Sequence, residues 1–307
     1  HGATDEAMAS EEQKGKGARV FLLMLVAAGA VALLIRYGRI PQPEDYHAFS
    51  DSRTLLGIPN ALNVLSNVPF AIVGWMGIAF LRRGPTRDPD GPYRPGAHTA
   101  FESMRERPAY VLFFLGVLLT AVGSSYYHLK PSTTRLFWDR LPMAIGFTAL
   151  FAAMIAERIS IYWSRMLLLP FVFAGVASVV QWRLSEDQGH GDLRFYLFVQ
   201  FFPLLTLPIM LLLFRPRYSR GGELLAVGLV YGGAKAFEHM DKQLWEISGH
   251  SVGGHAIKHV VAAVATYLVL DMLKKRGRPR TALSEAMAAA MADESQDDEP
   301  QNAGNIE

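Results

Sequence analysis

The feature that most constrains this chain is the gathering of its apolar residues into runs of membrane-spanning length, not amphipathic stripes. Eight runs stand out: Val20–Ile35, Ile58–Leu81, Pro108–His128, Leu136–Ala156, Ile161–Trp182, Phe195–Phe214, Leu224–Phe237 and Gly254–Leu273. A bilayer crossing takes about 20 residues, so each run is read as a span. The seventh is the weakest, because Gly228, Gly232, Gly233 and Lys235 dilute it. The expected fold is all-α and polytopic, a seven-helix bundle preceded by one extra N-terminal transmembrane helix.

Charge checks the count independently. With eight spans, both termini share a side with the loops after spans two, four and six. That side collects 19 Lys and Arg against 9 on the other, with Lys235 and Lys258 inside helices. The basic side is expected to be cytoplasmic. A missed span would put the clusters Arg82/Arg83/Arg87 and Lys274/Lys275/Arg276 on opposite sides. The net charge of +2 then reflects topology and snorkelling at helix ends, so nucleic acid is not an expected partner. The chain has no cysteine, which leaves His, Asp and Glu as the candidate metal ligands.

Residues 1–17 are polar and expected to be disordered. Residues 18–36 form the extra span, read as an anchor because "RYGR" follows it where a signal peptide would carry a small-residue cleavage site. The membrane domain covers 37–275, and 281–307 make an acidic tail, also expected to be disordered. A loop rich in Arg, Pro and Gly, "RRGPTRDPDGPYRPGAH", follows the second span, and the connection 36–57 is placed over the outer mouth of the bundle.

Ionisable residues inside a membrane are costly and call for a partner or a task. Ser124 and His128 are four apart and share a helix face near the outer boundary. Asp139 lies eleven residues further on, after a turn at Pro131, and can face His128 across the hairpin. In "GHSVGGHAIKH", His255 and His259 are again four apart and start the last span on the same side. A lone H-x-x-x-H pair is weak, but three histidines, a serine and an aspartate at one depth favour a metal site over helix capping. Three imidazoles with an open fourth position are the donor set of catalytic zinc. Asn60, Asn63, Ser66 and Asn67 share one face of the first core helix, where interhelical hydrogen bonding competes with substrate contact. Glu238 and Asp241, with Lys235, read as a helix-end ion network or as support for the site. Lys258 is placed on a different side from His255 and His259, paired to Glu238 or Asp241. His239 and His250 are reserve ligands.

These stretches, "NALNVLSNVPF", "S-x-x-x-H" followed by "WDRLPM", and "GHAIKH", resemble the alkaline ceramidase family. That family belongs to a wider group of seven-helix membrane hydrolases that includes the adiponectin-receptor-like proteins. The resemblance runs from about Ser50 to Met272. It implies Zn²⁺ on His128, His255 and His259, with Ser124 and Asp139 beside the metal. Ser124 would then donate to the oxyanion and Asp139 would move the proton. The implied reaction is hydrolysis of the N-acyl amide of a ceramide-like lipid to a sphingoid base and a fatty acid. Two departures matter. Animal members carry a calcium-associated acidic cluster, reduced here to Glu44, Asp45 and Asp51, and a Glu where this chain has Asn60; this puts Ca²⁺ in doubt. The extra N-terminal helix is the second. The other class considered is a heptahelical receptor or binding protein with a structural zinc, which needs a fourth protein ligand such as His250. A transporter, third, lacks an inverted repeat. Acyl length and oligomeric state are not legible in one chain.

Overall fold

The computed structural model describes residues 2–83 and 100–277, with side-chain surroundings given from residue 15 onward. The acidic tail and most of the Arg-, Pro- and Gly-rich loop lie outside the described residues. The described residues are helical, with no strand beyond an isolated bridge between Leu55 and Ile58. The helices are α1 (Gly2–Tyr37), α2 (Ala61–Leu65), α3 (Val68–Arg82), α4 (Arg107–Leu129), α5 (Thr133–Arg158), α6 (Ile161–Asp187), α7 (Arg194–Leu213), α8 (Glu223–His239), α9 (Asp241–Ile247) and α10 (Gly254–Lys275). The protein is an all-α, multi-pass membrane protein. Seven helical segments of the described chain are long and apolar enough to cross a bilayer, with α2 and α3 counted as one segment. The seventh expected span corresponds to α8, whose 17 residues sit at the short end of the crossing range; it packs along α10 and passes directly into α9. The backbone of residues 2–17, expected to be disordered, continues α1.

Neighbouring helices pack in order from α3 to α7, α8 packs on α7 and α10, and α10 returns to α3, so the bundle closes on itself. Without a hydrophobic effect between helices in lipid, association depends on close packing of small residues. Ala149, Ala152, Ala153 and Ala156 supply this on α5, in i, i+3, i+4, i+7 spacing, and all are buried. Large side chains such as Leu33, Phe173 and Leu212 face outward instead, as a lipid-facing surface requires. Helix starts are marked by capping serines: Ser132 accepts from the Arg135 N–H at 3.3 Å, and Ser160 from the Trp163 N–H at 3.4 Å. Helix α1 lies outside the ring against α7, where Arg194 donates to the Leu34 carbonyl at 3.1 Å.

Two glycines set the approaches that matter for the site. A Cβ on Gly123 would collide with the Trp138 carbonyl, and one on Gly254 with the Phe237 carbonyl. Gly123 therefore lets α4 touch α5 beside Ser124 and Asp139, and Gly254 lets α10 touch α8 beside His255. The opposite end of the bundle is closed by a buried ion pair. Arg276 meets Glu157 at 3.0 Å and donates to the Ala100 carbonyl at 2.6 Å, with the Tyr218 ring 4.0 Å away. Removing one partner of such a pair costs about 3–5 kcal/mol, so this lock holds the helix ends that the histidines do not.

Candidate metal centre

The last turn of α4 and the first two turns of α10 bring His128, His255 and His259 together. All three are buried, at 1%, 5% and 3% exposure. Their ring centroids form a triangle with every side 4.9 Å, and one nitrogen from each lies within 4.8 Å of the others. The Nε2 atoms of His128 and His255 are 3.3 Å apart. This buried cluster could bind a metal ion.

Each ring is held differently. His259 Nδ1 lies 2.8 Å from Ser66 Oγ, whose own hydroxyl is 3.2 Å from the Asn63 carbonyl. If Ser66 donates to that carbonyl, it accepts from Nδ1–H, and Nε2 is left as the free lone pair of His259. His255 is fixed through its backbone: Asp241 accepts from its N–H at 2.7 Å and from the Ser50 N–H at 2.9 Å. Among the described residues His128 Nδ1 has no hydrogen-bond partner; packing orients this ring, with Phe49 4.7 Å and Tyr127 4.8 Å away between centroids. Asn60, in a left-handed conformation at φ 49, donates to the His128 carbonyl at 2.9 Å.

Ser124 and Asp139 are buried at 2% and 8% exposure. With His259, they line one cavity of about 310 Å³. The cavity runs from this polar end into a wall that includes Phe70, Phe113, Met143, Phe147, Leu204 and Val227. Its size is at the lower end of the range for small-molecule sites, about 300–1,000 Å³.

The remaining expected residues take support positions. Asn63 donates to the Asp51 carbonyl at 3.1 Å, and Asn67 to the Asn63 carbonyl at 2.8 Å. Glu238 pairs with Lys235 and, at 3.0 Å, with Lys258. Lys258 does not keep to a separate face, however. Its long side chain turns back toward the triad, and Nζ lies 3.1 Å from His255 Nε2. His250 is a surface residue, 60% exposed and 3.3 Å from Glu246, and His239 is exposed; neither joins the cluster. The Asp51 carboxylate is taken by Arg53 at 2.8 Å, and Arg53 also donates to the Ser251 carbonyl at 2.7 Å. Burial acts to raise the Asp51 pKa, but the hydrogen bonds and charge of Arg53 outweigh it and hold the carboxyl below its ordinary value.

The connection between α1 and α2 supplies residues that spacing did not single out. Phe49 packs on both His128 and His255, the latter at 4.4 Å. His47 lies 2.8 Å from the Tyr127 hydroxyl and 3.1 Å from Thr133 Oγ1. Gln42, Pro43 and Tyr46 form part of the cavity wall. The connection thus covers the polar end of the site. Arg140 is the other omission. Its signal was in the sequence: a guanidinium inside a span, next to Asp139 in "WDRLPM".

Comparison with known proteins adds no relative: no family model and no curated sequence matches the chain.

Proposed function

We propose that this protein is a zinc-dependent intramembrane lipid amidase of the alkaline ceramidase type. The observation that carries the reading is a cluster of three buried imidazoles, one of which, His259, lines a largely apolar cavity together with Ser124 and Asp139. Nitrogens about 2.0–2.1 Å from a tetrahedral zinc lie roughly 3.3–3.4 Å apart, and the 3.3 Å between His128 Nε2 and His255 Nε2 fits that geometry. His128, His255 and His259 would hold the ion. When bound, it would supply Lewis-acid polarisation of the amide carbonyl and a water of lowered pKa.

The chain's own residues then have separable tasks. Asp139 takes the proton of the attacking water and returns it to the leaving amine. Ser124 donates to the oxyanion that forms at the carbonyl oxygen when the amide carbon is attacked. The apolar wall seats the acyl chain, and Phe49 with the rest of the connection excludes bulk water. Lys258, now touching His255 Nε2, keeps Glu238 as its partner when that lone pair is used. In the family this site resembles, the substrate is a ceramide. The receptor reading needs a fourth protein ligand, and His250 is directed elsewhere.

With the basic side cytoplasmic, both termini face the cytoplasm and the histidines lie near the outer face. The deciding experiment incubates purified protein with N-acyl lipids and measures fatty-acid release, with zinc content measured in parallel. Release that tracks zinc is the expected result; zinc-loaded protein that releases nothing from any N-acyl lipid overturns the reading.

A further inference from the structure

Arg140 has no task in the reaction above. It follows Asp139 on α5, is 5% exposed, and lines the cavity. Three aromatic rings hold its guanidinium: Trp182 at 4.2 Å, Tyr196 at 4.9 Å and Tyr46 at 5.5 Å. Nη2 donates to Gln42 Oε1 at 2.7 Å. Among the described residues Nη1 has no hydrogen-bond partner.

Gln42 shares the wall of the same cavity. Arg has no acceptor to offer, so the amide must turn its oxygen to Arg140 and keep its NH₂ for something else. That Nε2 is also buried and unpartnered among the described residues. Glu186 fixes the pair in place, accepting from the Gln42 backbone N–H at 3.3 Å and from the Trp182 indole at 3.0 Å. Two joined side chains, Arg140 buried and Gln42 partly so, therefore each keep a buried donor nitrogen without a partner. A buried donor left unsatisfied is costly, and a guanidinium fork matches carboxylate and phosphate oxygens. The charged lining has one cation in excess, with Arg140, Lys235 and Lys258 against Asp139 and Glu238.

We propose that Arg140 and Gln42 form a subsite for an anionic oxygen group, a carboxylate or phosphate, on the head of the acyl lipid itself. The proposal rests on the reading of the cavity as an acyl-lipid site. It keeps the N-acyl amide as the bond cleaved but favours lipids with an acidic head group, and so departs from ceramide, whose head is neutral.

The test is calorimetric titration of the full chain in neutral detergent, with three probes. N-Dodecanoylglycine carries chain and carboxylate, N-dodecanoylglycinamide is its neutral counterpart, and N-acetylglycine has the carboxylate without the chain. Wild type is expected to bind the dodecanoyl acid at least tenfold tighter than the amide. Arg140→Gln, and separately Gln42→Leu, should shrink that preference; the second variant leaves α5 untouched and decides the matter if the first fails to fold. Equal affinity for acid and amide in wild type, or a preference unchanged by both variants, overturns the subsite. N-Acetylglycine binding as tightly as the dodecanoyl acid would assign the donors to a free anion and also overturns it. Release of dodecanoate is scored separately. Preference without release removes the amidase reading and upholds the subsite; release without preference does the reverse.

Discussion

The Nε2 atoms of His128 and His255 stand 3.3 Å apart across 127 residues of chain. Contact this close between two buried imidazole nitrogens needs a shared proton or a shared cation, since two bare lone pairs repel. Their meeting depends on α4 ending, and α10 beginning, at one level of the bundle.

The first expectation concerns metal content. Purified protein should carry about one zinc per chain by elemental analysis, and His255→Ala should lose it. Asn63→Ala, which removes a hydrogen bond to the Asp51 carbonyl, should weaken retention far less. Full zinc occupancy in a His128/His255/His259 triple alanine variant would dispose of the site.

Ser66 provides a finer test. If its hydroxyl selects the His259 tautomer, Ser66→Ala should weaken zinc binding by about 10–100-fold. Competition against a chelator of known affinity measures this. Unchanged affinity would show that packing alone orients the ring.

The two catalytic roles separate kinetically. Ser124→Ala should retain zinc and lower turnover by roughly 10²–10³. Asp139→Asn should also retain zinc and lose more, because the proton carrier disappears. KM should move little in either variant, since both groups act in the transition state. A Ser124→Ala enzyme within a fewfold of wild type would reduce that serine to helix back-bonding.

Sidedness can be read directly, because the chain has no cysteine of its own. Lys130→Cys and Arg215→Cys place single thiols at exposed positions at opposite ends of the bundle. A membrane-impermeant thiol reagent should label Lys130→Cys from outside and Arg215→Cys only after permeabilisation. Labelling of both from one side would break the topology.

A pH effect follows from Asp192, in the loop before α7. Burial acts to raise its pKa, but the hydrogen bonds and charge of Arg194 outweigh it and hold the carboxyl below its ordinary value. A depressed folded-state pKa gives stability that is present above the unfolded value, about 3.9, and is lost as pH falls through the folded one. The thermal midpoint in detergent should therefore fall between pH 5 and pH 3, and fall less in Asp192→Asn. Identical falls would mean that the pair with Arg194 contributes nothing.

Much of the candidate site was legible in spacing. A helix rises 1.5 Å per residue, so Ser124 and Asp139, seven and eight residues from Pro131, must share a depth, with His128 about one turn nearer the boundary. The H-x-x-x-H pair at the start of the last span must share a face. The connection's rings and Lys258 were not legible in the same way. Helical angle alone puts Lys258 on a separate face, yet its four-carbon stem reaches around the helix to His255.

The sequence by itself determined that this is a helical membrane protein, because runs of about 20 apolar residues demand a solvent without water. It also determined which polar residues lie at one level, because helical rise is a local property. Only the tertiary structure decided that the three imidazoles form a closed triangle and that Ser124 and Asp139 line one cavity. It alone joined Gln42 to Arg140 across 98 residues. Those contacts depend on which helices are neighbours and how closely Gly123 and Gly254 let them approach. Such distances come from packing across the bundle, and no pattern confined to one segment encodes them.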